Sequence, residues 1–565
     1  MKNNIEEKNG SLADEARVSR RKFFGKLGTA AVGAAAFGAA APIVDKKSSV
    51  SAQARDNGNS FYHRRAVASF QYRVDTAHDN FRPIPRRFSR PNNGDDELYP
   101  NRIASYSKAL PHQANGEVVP AAYDALLDAL RSGNPATFEQ IPMGGDRNLT
   151  NPQAGLAFDL EGADCFTLIQ PPAPAFASRE NAAEIAENYW MALLRDVAFT
   201  DYPSNAIANA AAADLTLFGS DFKGPKNGSG QVTPNLLFRG LTAGDRTGPH
   251  VSQFFLQPCF FGANEINQRI TTAMPGLDYM TDFASWLSVQ NGVSPAAGNV
   301  SDPTLRYMRN GRDIGQWVHI DVLFQGYFQA FLVMAGMGVP FDSGNPYSSS
   351  ATQDGFGTFG GPHIATLLCE VSTRALKAVW NQKWIVHRRL RPEVFAARVD
   401  RTAYHGAGYP VHSEILTSLS TNSRLGGYMP AGNAFLPMAF PEGSPTHPAY
   451  GAGHGTVAGA CVTILKAWFN ESTVIPNSLV PDSTGQVLVP YVGDPLTVGG
   501  ELNKIASNIA IGRNIAGVHW RSDATESLKL GEAIAIGVLR DQKRSYNEQF
   551  AGFSLTKFDG TTVTV

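Results

Sequence analysis

A chain of 565 residues that is 43% hydrophobic has the apolar side chains for a large core, and 49 basic against 50 acidic residues leave no charge excess to attract a polyanion. Nine of those bases and five of those acids fall in Met1–Ala54, so the remainder holds 40 against 45, which speaks against nucleic-acid binding as the main role. Cys165, Cys259, Cys369 and Cys461 are far apart, with no CxxC and no zinc spacing, and Cys369 and Cys461 read as buried thiols in apolar helical runs.

The N-terminus reads as an address. Ser19-Arg20-Arg21-Lys22-Phe23-Phe24 has the form of a twin-arginine signal, an Ala/Gly-rich run follows from Leu27 to Val44, and Ala52-Gln53-Ala54 suits a small-residue cleavage site. The expectation is export of folded protein to a periplasmic or extracellular location, with residues 1–54 as leader. No other segment reaches about 18 uninterrupted apolar residues, so no membrane contact is expected of the mature form.

Residues 55–150 are rich in Pro, Arg and Asn, as in Arg82-Pro83 and Arg86-Arg87-Phe88-Ser89-Arg90-Pro91. They read as an extended arm with little regular structure, which needs a surface to lie on, a neighbouring subunit included; disorder is the alternative. Residues 151–565 read as the main helical domain. Helical periodicity runs from Glu180 to about Phe199 and from Thr304 to Met337, where Trp317, Ile320, Leu323, Phe324, Tyr327 and Phe328 form an apolar face. Arg195, Asp196 and Asp321 read as members of ion pairs. The stretch from Ser204 to Ser301 mixes short apolar runs with turns. From Gly361 the pattern is helix, turn, helix, closing with Ser522 to Asn547, and the fold class is mainly α, built from bundles.

Chemistry concentrates in residues 380–525. Lys383-Trp384-Ile385-Val386-His387-Arg388-Arg389-Leu390-Arg391-Pro392-Glu393 carries four cations and one acid after a helical run, and Pro392 forbids Arg391 a comfortable helical conformation. A lysine and an arginine so placed suit a tetrahedral oxyanion; a basic helix end that complements the macrodipole is the plain alternative. Ser444-Pro445-Thr446-His447-Pro448-Ala449-Tyr450-Gly451-Ala452-Gly453-His454-Gly455 opens an apolar helix, and backbone N–H groups at such a start bind anions. His454 there is placed to exchange protons. Arg513 and His519 follow, with Asp523 four residues after the histidine and able to orient its ring.

Lys-x7-Arg-Pro, His-Pro-x-Tyr-x-x-Gly-His and Arg-x5-His-x3-Asp, in this order, resemble the vanadium-dependent haloperoxidases, and the bromoperoxidase branch of red algae and bacteria most of all. His387–Glu393 and the upstream Gly355-Phe356 to Gly360-Gly361-Pro362-His363 resemble that branch, and Tyr189–Asp196 and Gly315–His319 do so more weakly. The resemblance implies two four-helix bundles and vanadate as cofactor. By motif, His519 is similar to the histidine that binds the metal. Lys383, Arg391 and Arg513 are similar to the cations around the equatorial oxygens, with Ala452 and Gly453 in the loop that touches the same oxygens. His454 is similar to the acid/base residue, Lys383 to the residue that polarises peroxide, and His447 to the second histidine of the bromoperoxidases; a loop histidine before Pro448 is the alternative for His447. Hydrogen peroxide, a halide (bromide favoured) and a small organic acceptor are the implied partners. A homo-oligomer, a dimer or an assembly of dimers, is implied as well. Calcium occurs in some relatives, but Phe341 to Asp354 holds few acids and calcium is not expected. Trp384 and His387 flank the cage, either shaping halide entry or packing in the core.

One departure matters. The family loop usually carries serine where Ala452 stands, so one hydroxyl hydrogen bond to the anion is missing, worth roughly 1.5–3 kcal/mol. Gly512, in place of another serine, points the same way. Weaker vanadate binding is expected, and an acid phosphatase or a non-catalytic oxyanion-binding protein with the same cage are the alternative readings.

Overall fold

Helices dominate the computed structural model, which describes residues 61–82 and 90–565. The expected twin-arginine leader, residues 1–54, lies outside the described residues. Taking helices of two turns or more, the order is α1 Phe61–Phe81, α2 Pro120–Ser132, α3 Arg179–Leu193, α4 Ala206–Leu217, α5 Phe283–Gln290, α6 Gly311–Ile320 and α7 Gln325–Met337. It continues with α8 Gly361–Asn381, α9 Pro392–His405, α10 Ser413–Ser420, α11 Gly453–Trp468, α12 Val498–Ile515 and α13 Arg521–Lys543. Short antiparallel strand pairs interrupt the helices: Cys259–Phe261 with Asn264–Ile266, Ile270–Ala273 with Ser301–Arg306, Leu479–Pro481 with Leu488–Pro490, and Ser554–Thr556 with Thr562–Thr564.

Two cores meet along α12. One gathers Tyr189 and Trp190 of α3, Ala211 and Leu215 of α4, Phe395 and Val399 of α9, and Ile415 of α10. The other gathers Leu332 of α7, Leu367 and Val371 of α8, Val457 and Ile464 of α11, and Leu528 and Ile534 of α13. The first half of α12 gives Leu502, Ile505 and Ile509 to the second core, and its last turns give Ala510, Ile511 and Ile515 to the first. Its C-terminal end therefore lies at the seam between the bundles, and Arg513 lies there. Glycine makes the central crossing possible: a Cβ on Gly459 would meet the Leu528 carbonyl at 2.1 Å, and one on Gly531 the Thr456 carbonyl at 2.0 Å, so α11 and α13 pack backbone to backbone.

Two expectations need correction. The stretch 55–150 carries α1 and α2 despite its composition. In α2, Pro120 starts the helix and Gly133 (φ 60°) stops it. Tyr123, Leu126, Leu127 and Leu130 recur at helical spacing and pack in a third core with Trp384. Ile320 is exposed, not part of an apolar face, because it ends α6, and α6 and α7 meet at a 104° bend. Among the described residues no single helix is long and apolar enough to cross a membrane.

Candidate active site

The backbone first decides which cations turn inward. After α8 a wider π-helical turn, Gln382–His387, replaces α geometry, and Arg388 then reverses the chain at φ 41°. Such turns re-aim side chains that a regular helix would leave on one face. Arg391 is extended (φ −85°) ahead of Pro392 at the first position of α9, as the proline requires. Lys383 and Arg391 end completely buried.

Partners then sort the four cations of this stretch into two kinds. Arg388 pairs with Asp96 at 2.8 Å, and Arg389 bridges Glu184 at 2.7 Å and Asp523 at 3.0 Å. Those two are structural. Lys383, Arg391 and Arg513 form no ion pair with a carboxylate among the described residues, and all three are buried. They donate to backbone carbonyls instead: Lys383 to Pro448 and Ala449 at 2.8 and 3.0 Å, Arg391 to His447 and Val518 at 2.8 and 2.6 Å, and Arg513 to Val318 at 2.7 Å. The Nε of Arg513 is buried with no partner. Three uncompensated buried cations are costly unless an anion completes the site.

The imidazole among them is neutral. His519 Nδ1 donates to Asp523 Oδ2 at 2.8 Å, and Nε2 takes a hydrogen bond from Arg391 Nη1 at 3.0 Å, so the lone pair sits on Nε2. Burial, then the charges of Arg391, Lys383 and Arg513, hold His519 well below the ordinary histidine range. Burial also holds Lys383 well below the ordinary lysine range, with Arg391 adding to the effect, and pushes Arg513 down to about 10. Arg391 Nη2 donates to His447 Nδ1 at 2.9 Å; a contact from the same nitrogen to the Pro448 carbonyl at 3.2 Å asks for the opposite tautomer, and the shorter, charge-assisted bond prevails.

Gly453 opens α11, and Ala452 before it offers no side-chain cap, which leaves the N–H groups of the first turn to another acceptor. The Ala452 N–H itself is taken by Ser527 Oγ at 2.7 Å. His454 Nε2 meets Asp321 Oδ1 at 2.9 Å, and burial lowers its basicity more than Asp321 raises it. Buried cations, a helix start without a side-chain cap and a ring nitrogen lone pair make a donor set that a tetrahedral oxyanion would fit, with the His454 imidazole beside it. Every residue singled out for the site is thus brought to the seam between the bundles.

The sequence reading missed part of the surroundings. Asp321 reaches His454 across 133 positions instead of serving only as a helical ion pair. Trp380 lies beside His447, ring centres 4.7 Å apart, with Lys383 Nζ 5.7 Å from its ring. His319 stacks on Phe440 at 3.7 Å and meets Glu442 at 2.6 Å, and the Phe440 ring lies under the Arg513 guanidinium at 5.8 Å. Trp380 alone carried a local signal, an aromatic one turn before Lys383. Arg195 and Asp196 do make ion pairs, with Asp278 and Arg312. Trp384 packs against Tyr106 in the third core, and His387 lies edge-on to Tyr450.

His387 gives a pH test. Both its ring nitrogens are buried without partners, and burial pushes it down to about 3 from 6.5. The folded value lies below the unfolded one, so the unfolded chain takes up the proton first; the stability present above pH 6.5 is lost as pH falls. Between pH 6.5 and 5 this one group should cost about 2 kcal/mol. His387→Phe should therefore gain about that much relative to wild type over the same interval, measured by urea unfolding at each pH. A pH-independent difference would refute the assignment.

Comparison with known proteins finds relatives over most of the chain. The family model described as the VCPO second helical-bundle domain matches residues 367–548. The vanadium-dependent bromoperoxidase of Corallina pilulifera is 37% identical over 89% of this chain and 98% of its own length. That of Ascophyllum nodosum is 33% identical over 84% of this chain and 87% of its own. The homohexameric structure of the second vanadate-dependent bromoperoxidase (AnII) from Ascophyllum nodosum superposes with a TM-score of 0.82 at 29% identity, covering 93% of this chain and 94% of that one.

Proposed function

The chain belongs to the family of vanadium-dependent bromoperoxidases, and from that premise we propose that it oxidises halide, bromide by preference, with hydrogen peroxide on a vanadate held between the bundles. The observation that carries this reading is a set of three buried, carboxylate-free cations near a neutral histidine, one of them, Arg391, hydrogen-bonded to its lone pair. Vanadate, when bound, supplies a Lewis-acidic centre that makes peroxide electrophilic toward halide.

The residues divide the remaining work. His519 presents Nε2, with Asp523 fixing the proton on Nδ1. Arg391 Nη1, which meets that nitrogen, also donates to the Val518 carbonyl at 2.6 Å and keeps a partner when the nitrogen binds metal. Lys383, Arg391 and Arg513 stand desolvated beforehand, so their charge acts without reorganisation. His454, with Nε2–H on Asp321, keeps Nδ1 as the nitrogen that takes or gives a proton. His447 accepts at Nδ1 from Arg391 and therefore carries hydrogen on Nε2, a donor for halide or oxidant. Trp380 packs its ring beside that of His447.

The same cage suits phosphate, but relatives matching 84–89% of the chain bear bromoperoxidase names, which favours halide oxidation over phosphomonoester hydrolysis or simple anion binding. The Ser19–Phe24 motif supports export by the twin-arginine route. The homohexameric relative supports a homo-oligomer. The direct test is bromination of a phenolic dye with peroxide, with and without vanadate, beside hydrolysis of nitrophenyl phosphate. Vanadate-dependent bromination without phosphate release is expected; phosphate release alone would overturn the reading.

Ala452 predicts the strength of binding. Ala452→Ser restores a hydroxyl at the cap of α11, where one charge-assisted hydrogen bond is worth roughly 1.5–3 kcal/mol. Vanadate affinity should rise about 10- to 100-fold in a calorimetric titration of vanadate-free protein. No gain would mean that the missing hydroxyl does not limit binding.

A further inference from the structure

Helix α1 presents its apolar stripe to the outside. Its inner side is fixed: Thr76 is buried, the Tyr72 hydroxyl donates to Glu161 at 3.0 Å, Asn80 accepts from the Asp164 N–H at 3.0 Å, and Asp79 pairs with Arg544 at 2.9 Å. These contacts prevent the helix from rolling. On the opposite side Val67, Phe70, the half-buried Val74, Ala77 and Phe81 follow one another at steps of three, four, three and four. Val67 is 51% exposed, Phe70 66% and Phe81 65%. The loop that holds Glu161 adds exposed Phe158 and Leu160 beside the helix. Scattered apolar residues need no explanation; an aligned stripe does.

We propose that this stripe is a homotypic interface, pairing α1 with α1 of a second copy in antiparallel orientation. The alternating step of three and four is the spacing with which side chains of one helix enter the gaps of another. Volume selects the direction. About a two-fold axis at Tyr72, Val67 faces Ala77 and Phe70 faces Val74 of the second copy, larger against smaller. A parallel pair would oppose Phe70 to itself and leave a gap at Ala77. Arg73, which borders the stripe, is drawn back along its own helix by the Ser69 carbonyl at 2.8 Å. A self-complementary patch generates a closed pair, the unit from which symmetric assemblies are built, and the homohexameric relative that matches 93% of this chain makes a second copy the apt occupant. The interface is independent of the halide chemistry.

The test uses the full-length chain. Val67→Glu combined with Phe70→Glu should at least halve the mass seen by sedimentation equilibrium, with vanadate-dependent bromination per chain retained. Val67→Cys combined with Ala77→Cys should give a disulfide-linked dimer on mild oxidation. A wild-type chain that sediments as a single copy, or a glutamate variant of unchanged mass, assigns the stripe to the chain's own leader or to a foreign partner and overturns the proposal. Loss of mass without the cysteine cross-link overturns the antiparallel pairing.

Discussion

Arg513→Met is expected to leave the vanadate-free protein at least as stable as wild type while abolishing its response to vanadate. Burial pushes the Arg513 guanidinium from the ordinary arginine range down to about 10, a burial cost on the order of a few kcal/mol. The folded value lies below the unfolded one, so that cost is fully present below pH 10 and vanishes only as pH rises into the ordinary arginine range. Methionine removes it and leaves one carbonyl, Val318, without its donor, at about 1–3 kcal/mol. The two effects balance or favour the variant. Vanadate at a hundred times its dissociation constant should stabilise wild type by about 2.7 kcal/mol and the variant hardly at all. Bromide oxidation should fall at least 100-fold, the usual effect of losing one oxyanion donor.

Arg389→Met is the control for that experiment. It leaves Glu184 and Asp523 buried without their cation, which should cost about 3–5 kcal/mol with or without vanadate. Urea midpoints with and without vanadate separate the two cases. If Arg513→Met unfolds as readily as Arg389→Met in vanadate-free buffer, Arg513 is a structural cation and the uncompensated cage is disproved.

That contrast also marks how far the sequence could be read. Local patterns carried well: Asp523, in the first turn of α13, reaches back to His519 in the bend just ahead of that helix, Pro392 dictated the extended Arg391, and Gly453 opens a helix where an anion-binding start was expected. Which cation was free could not be read locally, because Arg388 and Arg389 are neutralised by Asp96 and Glu184, far away along the chain. Asp321 was obscured for the same reason, since only the 104° bend between α6 and α7 brings it to His454. Helix α1 was obscured for another: its apolar residues face away from the body, so the segment looks polar and irregular to any reading that expects a helix to bury its stripe at home.

Asp523→Asn tests the other half of the site, the lone pair. Asp523 Oδ2 accepts from both His519 Nδ1 and the Trp520 N–H at 3.1 Å, and Oδ1 accepts from Arg389. An asparagine cannot satisfy this arrangement. With its oxygen toward His519 and Trp520, its amide faces the Arg389 guanidinium, donor against donor. With its amide toward His519, Nδ1 must become the acceptor, and the proton moves to Nε2, where it meets the Arg391 donor and blocks metal binding. Partners that orient a metal-binding histidine usually account for 10- to 100-fold in affinity, and a reversed tautomer places this case at or above the upper end. Nitrogen NMR of the vanadate-free protein reads the tautomer directly: Nε2 should be the unprotonated nitrogen of His519 in wild type, and Nδ1 in the variant wherever the amide turns inward. A variant that keeps the wild-type tautomer and binds vanadate with unchanged affinity would show that His519 needs no help from Asp523 to present its lone pair.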